Sequence, residues 1–148
     1  MTEQIDTTRQ ARMGLVAKTP PARLAALMEG IVVPGFDWLR APEVGGVMVR
    51  GRMGGTGAPF NMGEMTVTRC ALRLATGEVG HGYVQGRDKA HAERAALVDA
   101  LMQTDIADTL QAKVLDPLAE AAMTEKATRA AKAAATKVDF FTMVRGDD

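Results

Sequence analysis

Cysteine is nearly absent from this 148-residue chain, where Cys70 stands alone. One cysteine cannot form an intramolecular disulfide, so packing must hold the fold, as suits a reducing compartment. Aromatic rings are scarce as well: four Phe, one Tyr and one Trp. So few leave no paired strand aromatics of the kind that stack nucleic-acid bases. Net charge is missing too, because 18 basic and 18 acidic residues cancel. No overall field therefore draws nucleic acid or an anionic membrane. No apolar run approaches the roughly 20 residues of a membrane-spanning helix. Glu3 and Asp6 stand where a secretory signal needs basic and then apolar residues, so a cytoplasmic location is expected.

Catalytic signatures are also lacking. No Gly-x-Ser-x-Gly elbow occurs, no Gly-Lys-Ser/Thr follows the glycine-rich stretch, and no cysteine motif could hold an iron–sulfur cluster. His81 and His91 lack ligand spacing, so no metal site is expected. His91 and Glu93 lie two residues apart, which puts them on different faces of a helix. Glu64 and Asp88 do not form a carboxylate pair by spacing. The chain offers no complete catalytic set, and no catalytic residue is assigned.

What remains is an ordinary globular composition, 47% hydrophobic and 24% charged, in a length that suits one domain over residues 1–148. Residues 5–17 read as a helix, with Met13, Val16 and Ala17 on one side and Arg9 and Arg12 on another. Thr19-Pro20 signals a second helix, whose Leu24, Leu27, Met28 and Ile31 keep helical spacing until Gly30 and Pro34. From Phe36 the period becomes two. Strands are expected over residues 36–41, 46–53, 64–75 and 78–86, with Gly54 to Pro59 as a connection and Thr76-Gly77 as a tight turn. The last strand carries Gly80, Gly82 and Gly86 on one face. A face so bare implies that another backbone packs closely there, from a helix or from a partner chain.

Asp88 is a good N-cap for a helix to about Gln103 with a stripe of Leu97, Val98, Leu101 and Met102. Further helix follows through Ile106, Leu110, Val114, Leu115 and Leu118, with a break expected at Pro117. Residues 123–137 are alanine-rich and charged, a helix former with a thin apolar face. The tail Val138-Asp139-Phe140-Phe141-Thr142-Met143-Val144-Arg145 is apolar and must fold back or dock on a partner. The expected architecture is α+β: an N-terminal helical hairpin, an antiparallel β-meander of about four strands, then C-terminal helices and the tail.

Arg50, Arg52, Arg69 and Arg87, with the loop glycines Gly54, Gly55 and Gly57, are the anion-binding candidates, and His91 joins them as a lesser one. Guanidinium forks match phosphate and phosphonate oxygens two at a time, and glycines let backbone N–H groups approach an anion. The plain alternative is a solvated sheet face beside a flexible connection. Cys70 alternates with Thr68 and Leu72, the pattern of a buried thiol.

Several stretches, in one consistent order, resemble the PhnG family, a subunit of the bacterial carbon–phosphorus lyase core complex. They are Ala11-Arg12-Met13, residues 50–57, Phe60-Asn61-Met62-Gly63-Glu64, Val67-Thr68-Arg69, residues 77–101 and residues 138–147. The resemblance implies an accessory subunit, present twice in a symmetric assembly with PhnH-, PhnI- and PhnJ-type partners. Such an assembly attaches methylphosphonate to C1′ of MgATP, releases adenine and forms α-D-ribose 1-methylphosphonate 5-triphosphate. By resemblance the MgATP belongs to the complex, and this chain alone binds no cofactor. The arginines and glycine loop would then contact nucleotide, phosphonate or a partner subunit. Phe140, Phe141, Met143 and Arg145 of the tail would dock on a partner. The competing reading is a stand-alone nucleotide- or RNA-binding adaptor that uses an arginine-lined sheet face.

Overall fold

The computed structural model describes the backbone of residues 2–145 and the side chains of residues 8–136. Helix α1 (Thr2–Lys18) and helix α2 (Pro21–Met28) form the N-terminal hairpin. Pro21 occupies the first turn of α2, where its missing N–H is no loss, and the Pro20 carbonyl accepts from the amides of Arg23 and Leu24 at 3.0 and 3.3 Å. Strands β1 (Phe36–Arg52), β2 (Pro59–Leu74) and β3 (Val79–Gln85) follow as an antiparallel sheet in the order β1-β2-β3. Helix α3 (Lys89–Leu101) crosses back over the sheet. Helix α4 (Ala107–Leu110) then runs through a π turn (Gln111–Leu115) into helix α5 (Asp116–Arg145). The expected α+β class and element order hold.

The strand count is three rather than four. Residues 36–41 and 46–53, read separately from sequence, belong to the one long β1. Pro42 does not interrupt it because β1 is an edge strand, where a missing N–H leaves no ladder bond unmade. Register shifts between Trp38 and Arg40, and again between Arg40 and Glu43, absorb the irregularity. Pro117 likewise fails to break its helix. It falls in the first turn of α5, directly after the π turn, where the looser winding accommodates its ring.

One sheet face is covered by α3 and the other faces solvent. Thr68, Cys70, Leu72 and Leu74 of β2 and Val84 of β3 are buried, whereas Arg69, Arg73, His81, Tyr83 and Gln85 alternate outward. The glycines of β3 explain how closely the layers approach. A Cβ on Gly80 would collide with the Ala96 carbonyl oxygen and lie 2.7 Å from the Ala100 amide nitrogen, and one on Gly82 would collide with the Ala92 carbonyl. The backbone that the bare strand face required is therefore the chain's own α3, which offers Ala92, Ala96 and Ala100 four residues apart. With the sheet on one side and α1 and α2 on another, α3 is buried almost all round from Ala95 to Leu101, well beyond the stripe read from its periodicity. Val16, Leu24, Met28, Leu110, Val114, Leu115 and Leu118 close the core from the helical side.

Two parts leave this core. Beyond Ala121, every residue of α5 whose side chain is described, 122–136, is exposed. An exposed ion pair between Arg23 and Glu125 at 3.1 Å ties that stretch to α2. The other part is the far end of the β1–β2 hairpin.

Candidate functional site

Strand β3 pairs with β2 from Val67 to Arg73 and ends there. The β1–β2 ladder continues without it, from Gly46 opposite Thr66 out to Arg52 opposite Pro59. At about 3.3 Å per residue this is an arm roughly 20 Å long, two strands wide, with both edges unpaired. Along it Met48, Phe60 and Met62 are 56%, 44% and 64% exposed, and Met53 at the tip is 73% exposed. The side chain of Glu64 lies over Gly46 and that of Met62 over Gly51, so the glycines of β1 are covered from across the ladder. Alternate residues of β1, Val47 and Met48, point to opposite faces, and each face of the arm is apolar without a layer packed on it.

The tip holds five of the candidate residues. Gly54 and Gly55 take left-handed φ values of 61° and 82°, which ordinary side chains resist. They close a 3-10 turn, Met53–Gly55, that the Gly57 amide caps by donating to the Met53 carbonyl at 2.9 Å. Arg52 reaches back to the Gly57 carbonyl at 3.4 Å. Arg50 lines a shallow cavity of about 260 Å³ with Pro59, Phe60 and Asn61. Arg50 and Arg52 are the only charged residues between positions 45 and 63. Among the described residues neither meets a carboxylate.

The remaining candidates lie elsewhere. Arg69 is on the outer sheet face, where its Nε donates to Glu43 Oε1 at 2.9 Å, and Glu43 also pairs with Arg40. Arg50 stands seven residues further along β1 than Glu43, roughly 23 Å at the usual strand rise. Arg87 is exposed in the β3–α3 connection, just before the cap Asp88. His91 is buried in the first turn of α3. Its amide donates to Asp88 Oδ1 at 2.9 Å, and its ring Nε2, 2.9 Å from the Val16 carbonyl, must carry the proton because a carbonyl only accepts. The guanidiniums thus form three separate places, and the only one beside the glycine loop is the arm tip. The side chains of Phe140, Phe141, Met143 and Arg145 lie outside the described residues.

Chemical machinery is thin among the described residues. Cys70 is buried and donates its S–H to the Ala92 carbonyl at 3.2 Å. Burial pushes its pKa up to about 11; the nearby Glu93 charge adds to this, and a hydrogen bond from the Gly82 backbone works against it. Such a thiol is no nucleophile at neutral pH. Among the described residues no group of three His, Cys, Asp or Glu could hold a metal ion, and no helix is long and apolar enough to cross a membrane. A cleft of about 560 Å³ opens beside the end of α3, between Val32, Pro34, Leu101 and Ile106. Its charged lining is acidic, Glu78 and Asp105, which disfavours a phosphate or nucleotide there.

Sequence reading missed two features. Asp99 is a buried carboxylate, and its signal was available as the single charge inside Ala95-Ala96-Leu97-Val98-Asp99-Ala100-Leu101. The arm was missed because the strand after the glycine connection was begun at Glu64, whereas β2 begins at Pro59, although the apolar run Val47-Met48-Val49, which places apolar residues on both faces, marks a ribbon without a single core side.

The described residues thus form a small α+β domain with an apolar two-stranded arm and an exposed helical stretch over residues 122–136. The chain belongs to the PhnG family: the family model for phosphonate metabolism protein PhnG matches residues 7–146. It is 45% identical over 141 residues to the alpha-D-ribose 1-methylphosphonate 5-triphosphate synthase subunit PhnG of Rhizobium meliloti (strain 1021), covering 95% of this chain and 90% of that one.

Proposed function

We propose that this chain is an accessory subunit of a synthase that joins methylphosphonate to C1′ of MgATP. The reaction releases adenine and forms α-D-ribose 1-methylphosphonate 5-triphosphate for phosphonate catabolism in the cytoplasm. The observation that carries this reading is the 45% identity to a subunit of that synthase across nearly the whole chain. Among the described residues the one cysteine is buried and no three His, Cys, Asp or Glu could hold a metal ion. Substrate MgATP and the catalytic groups then belong to a partner chain. The partners are PhnH-, PhnI- and PhnJ-type subunits, with two copies of each chain in a symmetric hetero-oligomer.

In this assembly Arg50 and Arg52 at the arm tip, Arg69 and Arg87 serve contacts with partner subunits or with the shared nucleotide and phosphonate. The tail docks on a partner. Co-expression with the three sister subunits, purified through a tag on this chain, tests the reading. A stoichiometric complex is expected, and recovery of this chain from that co-expression without any sister subunit would overturn it.

A further inference from the structure

We infer that the β1–β2 arm is itself a docking element, taken into an apolar groove of a partner protein whose rim carries carboxylates. This rests on the accessory-subunit reading and names the surface it uses. Two-stranded ribbons are marginal in water without a third strand or a packed face. From Gly46 outward this one has neither, yet it carries Met48, Val49, Met53, Phe60 and Met62 exposed by 36–73%. Long apolar ribbons with free edges associate unless something covers them.

The chemistry of the cover follows from the arm's charge. The outer part of the arm, positions 45–63, holds two arginines and no acid, and the arm's one carboxylate, Glu64 opposite Met48, lies back over Gly46 at its base. Among the described residues Arg50 and Arg52 meet no carboxylate, as is also true of the exposed Arg73, Arg87 and Arg129, whereas Arg23, Arg40 and Arg69 each have one within 3.4 Å; what sets Arg50 and Arg52 apart is that they stand together on the apolar arm. The complementary surface therefore supplies carboxylates at the tip and apolar contacts along the ribbon. Five exposed apolar side chains against two cations favour a protein groove over nucleic acid, whose recognition is dominated by phosphate contacts from many cations.

The test uses the full chain with its sister subunits and compares three forms: the parent, Arg50→Glu with Arg52→Glu, and Phe60→Ser with Met62→Ser. All four positions are exposed, so circular dichroism and melting of the uncomplexed variants should match the parent. Capture of the sisters by either variant should fall about tenfold or more at roughly 0.1 M salt, and the charge-reversal deficit should shrink at high salt. A photo-crosslinking residue at position 62 should join the chain to a sister subunit in the parent complex. Undiminished assembly of both variants, with the parent assembling normally, would overturn the inference alone. Failure of the parent to assemble would instead overturn the accessory-subunit reading. RNA binding by the parent that the arginine variant loses would move the arm to nucleic acid and likewise overturn the inference.

Discussion

Arg9 and Asp99, ninety residues apart in sequence, meet in a two-pronged ion pair, with Arg9 Nε and Nη2 donating to the two carboxylate oxygens at 2.9 and 2.8 Å. The Asp99 side chain is only 2% exposed, and its Oδ2 also accepts from the backbone N–H of His81 at 2.9 Å. One carboxylate thus ties α1 to the last turn of α3 and to β3. Asp99→Asn keeps the shape and removes the negative charge that the Arg9 guanidinium meets there. A loss of about 2 kcal/mol is expected, read as a lowered denaturation midpoint. An unchanged midpoint would mean that the pair adds nothing to stability.

The approach of α3 to the sheet gives a second expectation. Gly80→Ala puts a methyl group into the Ala96 carbonyl, so helix or strand must shift, at a cost of about 1–3 kcal/mol. Gly14→Ala is the control: Gly14 lies inside α1 with nothing within 4 Å of an added Cβ. That change should instead stabilise by about 0.5–1 kcal/mol through helix propensity. Parallel urea titrations of the two variants check the opposite signs.

Cys70 makes stability depend on alkaline pH. Its folded-state pKa is raised to about 11, so the folded chain holds the thiol proton more tightly than the unfolded chain does. The resulting stabilisation is full below the unfolded thiol pKa and fades as pH rises towards about 11. The parent should therefore lose more stability than Cys70→Ala between about pH 8 and about pH 10.5. Thiol reagents should modify Cys70 only on unfolding, and rapid labelling of the native chain would contradict its burial.

A chain ending at Lys137 removes the apolar tail. We expect it to melt with the parent and to recover less of the sister subunits, because residues 122–136 of α5 already contribute no buried side chain. Melting curves and tag-based recovery are measured on the same preparation. Full recovery of the sisters by the shortened chain would rule out tail docking.

Much of this was legible in the sequence because its local signals agreed. Pro20-Pro21, the Asp88 cap and the strict alternation from Thr68 to Leu74 each state an element and its inward face. The glycine face of β3 even announced a close neighbour. Its identity was not legible, since an Ala92-Ala96-Ala100 ridge becomes meaningful only once α3 is laid across those glycines. The continuity of β1 through Pro42 was not legible either, because an edge position excuses a proline and edge status is a property of the whole sheet. The candidate arginines were recognisable by type, whereas their division among tip, outer face and connection depends on register and bulges that no local pattern encodes.

The central claim is that this chain supports a synthase it does not catalyse alone. The most direct measurement is methylphosphonate-dependent release of adenine from MgATP by the four co-expressed subunits, with this chain present and with it omitted. The account predicts release only when this chain is present, and none from this chain by itself. Equal release without it would contradict the account.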